Sequence, residues 1–245
     1  GNSDLLQHVN NLRTQGITII KNFIPPHIID AANSDLEDVI NGKRPDIECT
    51  YIEKMHMNHI RPTLLINHGL TKLAFDQRVL DIIKGYLKRE PILADADCRR
   101  VLPLDLETLN DPDRKTADTW HYDNRGRQIK MMCYLTDVVD DDQNFAFCPK
   151  THQGLKSHRM AKSRFKDGWV DQNISEVMEV TAAAGTAVLF DTTGIHRLRR
   201  KNTRQRDSIT FYYHAGYLQA GQQKIAREIY NTLGEHVRSQ LIPVD

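Results

Sequence analysis

The residues of this chain best suited to metal chemistry are Thr119-Trp120-His121-Tyr122-Asp123 and, far downstream, Gly194-Ile195-His196. In an extended strand successive side chains point to opposite faces. His121 and Asp123 therefore project together, and Tyr122 turns away. His196 follows a strand-like run, Thr186-Ala-Val-Leu-Phe-Asp191, and can bring a third ligand. Two imidazoles and one carboxylate on one side of a metal form the facial arrangement of non-haem Fe(II) oxygenases, which leaves coordination positions open. The tripeptide alone is a weak signal. Eleven His and 32 acidic residues among 245 give about one His-x-acid pair by chance. The rival reading is a half-buried strand whose His and Asp bond each other.

Ten residues after His196 comes Arg206, followed by Asp207 and Ser208. If the strand beginning there runs beside the His196 strand, Arg206 and Ser208 share a face. A guanidinium offers a planar fork matched to a carboxylate, and a hydroxyl adds one more bond. Such a pair would hold the far carboxylate of a diacid whose near end chelates the metal. Arg199, Arg200, Lys201 and Arg204 lie close by, so a surface arginine in a turn is the alternative.

The elements that must position these groups follow from periodicity. Ser3 caps a helix over 4–13 with Leu5, Leu6, Val9 and Leu12 on one stripe. Gly16 ends it, and Ile17 to Ile20 reads as a strand. Pro25 and Pro26 open a second helix carrying Ile28, Ile29, Ala32, Leu36, Val39 and Ile40 as far as Gly42. Residues 43–68 read as polar and irregular, and a third helix is expected from Asp76 to Lys88. After Pro91 come short apolar or alternating runs separated by turn residues: 92–102, 118–123, 128–137, 144–148, 176–180, 186–191, 195–200 and 207–217. Eight such runs predict a mainly β protein with flanking α-helices, its core a double-stranded β-helix of the jelly-roll, cupin-like kind. Residues 103–117 read as a loop. Residues 149–175, rich in Lys, Arg and His, read as an insertion that could act as a lid. Ile225, Ile229, Leu233, Val237 and Leu241 recur every four residues and predict a helix over 221–241. The expectation is one domain over 1–245: a helical part to residue 90, a jelly-roll core over 91–217 and a C-terminal helix over 218–245.

Composition sets wider bounds. Apolar residues make up 40% and charged residues 27%, an ordinary globular balance. A net charge of +1 gives no reason to expect nucleic acid or a membrane surface. No apolar run approaches a membrane span, and no basic region followed by an apolar stretch marks a signal peptide. The four cysteines, Cys49, Cys98, Cys133 and Cys148, are scattered and read as reduced thiols of a cytoplasmic protein.

Taken in order, three stretches resemble the phytanoyl-CoA dioxygenase family of Fe(II)/2-oxoglutarate oxygenases. Trp120-His121-Tyr122-Asp123 looks like its Trp-His-x-Asp. Asn144-Phe-Ala-Phe-Cys-Pro149-Lys-Thr-His152 is similar to its apolar strand followed by Pro-Gly-Ser/Thr-His. Ala184-Gly185 through Asp191, then His196 and Arg206, resembles its Gly-Asp-x-x-x-Phe strand, distal His and oxoglutarate-binding Arg. Lys150 stands where Gly is usual and Thr186 where Asp is usual. The interval from His196 to Arg206 is one residue short, so Arg204 is a minor rival.

The resemblance implies that His121, Asp123 and His196 hold Fe(II), that Arg206 and Ser208 hold 2-oxoglutarate, and that O₂ is consumed to hydroxylate a substrate. By the same resemblance Tyr134 lines the oxoglutarate pocket; a core aromatic is the equal alternative. Arg100, on the strand before the metal motif, could reach the same carboxylate. His152 reads as structural. A carboxylate at 123 argues against a halogenase, which needs that position for halide. If the triad forms, Arg125 and Arg127 and the basic residues following His196 sit near one mouth of the barrel, and the insertion carrying Lys150, Lys156, His158, Arg159, Lys162 and Arg164 could fold over it. As a group they favour a small anionic metabolite, with Arg125 and Arg127 as first choices for its contacts; a solvated positive rim is the alternative. Two other classes stay open: a cupin-like metal-dependent isomerase, which needs no carboxylate clamp, and a non-catalytic binding protein.

Overall fold

The computed structural model describes residues 2–110, 119–123, 128–140, 142–154, 163–201, 204–216 and 221–245. Among the described residues fourteen strands run in chain order as β1 (Ile17–Ile20), β2 (Glu48–Ile52), β3 (Met57–Arg61), β4 (Ile92–Val101), β5 (Trp120–His121), β6 (Gln128–Tyr134), β7 (Phe145–Phe147), β8 (Arg164–Phe165), β9 (Met178–Val180), β10 (Ala187–Asp191), β11 (His196–Leu198), β12 (Arg206–His214), β13 (Gln223–Ala226) and β14 (Leu241–Val244). The main helices are α1 (Asn2–Gln15), α2 (Pro26–Ile40), α3 (His68–Leu73) and α4 (Gln77–Leu87).

A seven-stranded sheet has the order β1-β10-β6-β12-β4-β3-β2, and a five-stranded sheet the order β8-β5-β11-β7-β9. Every pairing within these two sheets is antiparallel. This is the jelly-roll arrangement that the run of short strands predicts.

Strand β12 shows how the large sheet is built. All nine of its residues are buried, because both faces are covered. Ile209, Phe211 and Tyr213 pack with Cys98, Met131 and Leu189 of neighbouring strands and with Leu36 and Ile83 of α2 and α4. That outer layer is why α4 is amphipathic, with Val79, Ile82, Ile83, Tyr86 and Leu87 buried. Asp76 begins α4 by accepting the amides of Arg78 and Val79 at 3.0 and 3.3 Å. Toward the second sheet, Ile17, Met132, Tyr134, Val188 and Phe190 meet Phe145 and Phe147 of β7. Apolar packing thus fills one half of the space between the sheets.

Three parts of the sequence reading need correction. Residues 43–68 are not irregular: β2 and β3 form a hairpin that extends the large sheet past β4. Half of the ten residues in its strands are polar and Tyr51 is exposed, so the hydrophobic alternation that marks a strand is weak. The N-terminal part is accordingly not wholly helical, since β1, β2 and β3 all belong to it.

The C-terminal segment is not one helix. It is β13, two short helices (Arg227–Thr232 and Glu235–Arg238) and β14, with β13 and β14 paired in parallel. Ile225, Ile229 and Leu241 are buried as the four-residue spacing suggests. Gly234 starts a new helix, however, and Pro243 suits an edge strand and not a helix interior. Third, β12 does not run beside the His196 strand; it lies between β4 and β6 in the opposite sheet.

Lys150, where the family usually has Gly, sits in the left-handed region with φ of 67° and donates its amide to the Gln15 carbonyl at 2.9 Å. A side chain there costs about 1 kcal/mol, partly offset by the extra chain entropy glycine would lose. Lys150→Gly is therefore expected to raise stability by about 0.5 kcal/mol in urea unfolding. A loss of stability would show that the lysine side chain contributes more than its backbone costs.

Candidate metal centre between the sheets

The two histidines are set opposite each other by backbone register. Strands β5 and β11 are antiparallel neighbours with His196 across from His121. Their rings lie 4.5 Å apart between centroids. Asp123 comes just after β5 ends, and its amide donates to the Thr192 carbonyl at 2.8 Å, which ties it to the chain leaving β10. One atom from each of His121, Asp123 and His196 lies within 4.8 Å of the others, and all are at least partly buried. His121 Nε2 and Asp123 Oδ1 are 3.9 Å apart, too far for a hydrogen bond. That distance weighs against the reading in which the two merely bond each other. It suits two donors facing a shared ion.

Each imidazole is oriented from behind. His121 Nδ1 donates to the Thr119 carbonyl at 2.8 Å and His196 Nδ1 to the Gly194 carbonyl at 2.9 Å, which leaves both Nε2 atoms as acceptors. His196 is buried among Phe145 and Phe190, with ring centroids 5.9 and 5.2 Å away. Gly194 is required for this turn, because a Cβ there would run into the Phe147 ring.

Burial lowers the pKa of both histidines, and for His196 the neighbouring His121 lowers it further. Burial alone would raise Asp123, but the Lys130 ammonium outweighs it and holds the carboxyl low. The three groups thus sit in the forms a divalent cation binds: two neutral imidazoles and a carboxylate.

Arg206, the expected diacid anchor, is 5% exposed at the start of β12. Its Nη1 donates to the Gln143 carbonyl at 3.3 Å and its carbon lies 5.7 Å from the centre of the Tyr134 ring. Its Nε has no partner, and among the described residues no carboxylate lies within ion-pair reach. Burial lowers its pKa, though an arginine keeps its charge. A buried guanidinium without a counter-ion is costly and calls for an anion.

Ser208 lies two residues along the same strand, buried, and Tyr134 is directly across from it on β6. Tyr134 donates its hydroxyl to the Val180 carbonyl at 2.9 Å and receives the Phe145 amide at 3.2 Å. It therefore bridges both sheets, standing between Arg206 and the phenylalanines around His196.

Arg100 does not join them. Alternation puts it on the helix-facing side of β4, where it donates to Asp207 at 2.9 and 2.8 Å and to Glu37 at 2.5 Å. Arg99 takes the inward position, across from Ser208, and its Nη2 meets Asp97 at 2.6 Å. The rival Arg204 is largely exposed and paired with Asp142. His152 lies outside the ligand cluster, its Nε2 meeting the Arg13 carbonyl at the end of α1 at 3.1 Å.

Arg125 and Arg127 lie outside the described residues, as do Lys156, His158, Arg159 and Lys162. Of the described cations after His196, Arg197 pairs with Asp167 and lies over Trp120, Arg199 pairs with Glu179, and Arg200 donates to three carbonyls.

Sequence reasoning missed Lys130. Its Nζ lies 2.6 Å from Asp123 Oδ2. The signal was present: Gln128, Lys130, Met132 and Tyr134 alternate on one face of a buried strand, and a lysine inside such a face needs an acid.

The depressed histidines have a consequence for the metal-free protein. Folding holds them neutral, while the unfolded chain protonates near 6.5. Their contribution is whole above about pH 6.5 and is lost progressively as pH falls toward the folded values. Urea midpoints measured from about pH 7.5 down to about pH 5 should fall, and fall less steeply in His196→Asn. Equal slopes would show that His196 is not held neutral.

A profile described as phytanoyl-CoA dioxygenase (PhyH) matches residues 12–206. Similar solved structures include the non-heme alpha ketoglutarate dependent carbocyclase SnoK from nogalamycin biosynthesis, with a TM-score of 0.66 and 16% identity over 98% of this chain and 92% of that one. HygX from Streptomyces hygroscopicus, with nickel, 2-oxoglutarate and hygromycin B bound, gives 0.62 and 17% over 97% and 95%. The alpha ketoglutarate dependent epimerase SnoN, also from nogalamycin biosynthesis, gives 0.64 and 14% over 90% and 88%. HygX has also been crystallised with iron. At these identities the likeness carries the fold. No curated protein matches in sequence.

Proposed function

Because the chain belongs to the phytanoyl-CoA dioxygenase family, whose members depend on Fe(II) and 2-oxoglutarate, we propose that it is a dioxygenase that hydroxylates a small molecule. In this reading residues 1–245 form one oxygenase domain. His121, Asp123 and His196 are its iron ligands, and Arg206, Ser208 and Tyr134 form its oxoglutarate pocket. The observation that carries the reading is the pairing of two features in one interior: three convergent ligand atoms and a buried guanidinium with no acid.

Bound at the triad, iron would supply the oxidising chemistry in which 2-oxoglutarate and O₂ become succinate and CO₂ as a C–H bond is oxidised. The chain's own residues do the rest. The two Nε2 atoms and Asp123 Oδ1 provide three donors and leave the remaining positions open. Arg206 draws a dicarboxylate into the gap between the sheets, and Tyr134 fixes the guanidinium from one side. The Phe145, Phe147 and Phe190 side chains exclude water from the back of His196.

Hydroxylation is favoured as the default outcome, and the carboxylate at 123 disfavours halogenation. A cupin-like isomerase would have no use for Arg206 as it is placed, and a non-catalytic binding protein no use for three oriented ligands. An anionic substrate rests on Arg125 and Arg127, since Arg197, Arg199 and Arg204 are already paired with acids. No helix among the described residues is long and apolar enough to cross a membrane. The four free cysteines suit the cytoplasmic location proposed.

With Fe(II), ascorbate and 2-oxoglutarate, the protein should release succinate slowly even without substrate, and His121→Ala, Asp123→Ala and His196→Ala should each abolish it. Arg206→Ala should weaken 2-oxoglutarate binding by about 30-fold or more, the cost of losing one partner of a buried charge pair, and leave iron affinity within about threefold. If Arg204→Ala has that effect and Arg206→Ala does not, the anchor is misassigned.

A further inference from the structure

We propose that Lys130 is a positioning residue that makes Asp123 a one-oxygen metal ligand and so keeps a coordination position open. This rests on the metal reading given above. The two oxygens of Asp123 are in different situations. Oδ1 faces His121 Nε2 at 3.9 Å, on the side of the ligand cluster. Oδ2 is held by the Lys130 ammonium at 2.6 Å. A carboxylate with both oxygens free can close on a cation with both. One whose second oxygen accepts a charge-assisted bond is held to one.

Lys130 cannot easily swing away. It projects from the middle of β6, in register between Phe190 on β10 and Tyr212 on β12. Its Nζ lies 4.8 Å from the centre of the Tyr212 ring, a cation–π distance. The Tyr212 hydroxyl in turn donates to Asp97 at 2.5 Å, and Asp97 accepts from Arg99 at 2.6 Å. The ammonium is thus held from behind by a ring whose hydroxyl is fixed by the buried Asp97, itself paired with Arg99.

The arrangement predicts opposite signs for two properties. A cation beside the site repels a divalent ion, so its removal should not weaken metal binding. Its removal should instead let Asp123 bind through both oxygens and take one of the three positions that a facial triad leaves open. A residue that merely supported the fold would do the reverse, weakening the metal while leaving its open positions unchanged.

The test uses Mn(II) on the whole protein without 2-oxoglutarate. Electron paramagnetic resonance of free Mn(II) gives the affinity, and water-proton relaxation at saturation gives the exchangeable waters per bound ion. In Lys130→Met the water contribution should fall to about two thirds of wild type while affinity holds or rises. In Lys130→Gln, which keeps a donor and guards against a misfolded first variant, it should lie between. Wild-type relaxation per bound ion in both variants would overturn the proposal, whether or not affinity falls. A wild-type protein that binds no Mn(II) would overturn the metal reading itself, and this proposal with it.

Discussion

The site depends on one backbone register, the antiparallel pairing that sets His196 against His121. Directly opposite residues in such a pair bring their side chains close. Here that closeness brings together two imidazoles, His196 buried and His121 half-buried, both held uncharged, with Nε2 atoms turned toward one point. Two neutral rings with no proton between them contribute little to the fold. What keeps them there is the surrounding packing: Trp120 buried on one side, the phenylalanines on the other, and a glycine turn at 194 that no other residue could make without moving Phe147. The strands spend stability on holding these side chains together.

The second constraint is alternation across the large sheet. One face of β4, β6 and β12 is largely apolar and meets the helices, with Arg100 and Asp207 as its buried ion pair. The other carries Arg206, Ser208, Tyr134, Lys130, Tyr212, Asp97 and Arg99. Arg99 and Arg100 show how sharply this divides chemistry. They are neighbours in sequence, yet one meets Asp97 in the interior and the other binds Asp207 and Glu37 under α2. Nearly every interior cation has its acid. Arg206 does not, and that exception is what supports the proposal that it binds a dicarboxylate.

Much of this was legible in the sequence because the signals were local. The His-x-Asp tripeptide, the strand-like run before His196 and the arginine ten residues later are each a weak signal by spacing alone, and it is their order, matched to the family's motifs, that made them readable. The helices α1, α2 and α4 follow from apolar stripes, proline and the Asp76 cap. What was not legible depended on partners far away in the chain. The β2–β3 hairpin is held by its place beside β4 and shows no clean apolar alternation of its own. The four-residue recurrence from Ile225 to Leu241 is shared by a strand, two short helices and a second strand, so spacing alone mistook burial for a helix. Arg100 and Arg99 could be told apart only by knowing which face of β4 looks inward. Lys130 could be recognised only once Asp123 was placed beside it.

The central claim is that the triad and Arg206 serve one bound pair, a divalent ion and a dicarboxylate. Crystals soaked without oxygen in Fe(II) and 2-oxoglutarate, measured at the iron absorption edge, test it most directly. The account predicts one anomalous peak about 2.0–2.2 Å from His121 Nε2, Asp123 Oδ1 and His196 Nε2, and a diacid running from that peak to the Arg206 guanidinium. Iron bound elsewhere, or a diacid whose far carboxylate does not reach Arg206, would contradict it.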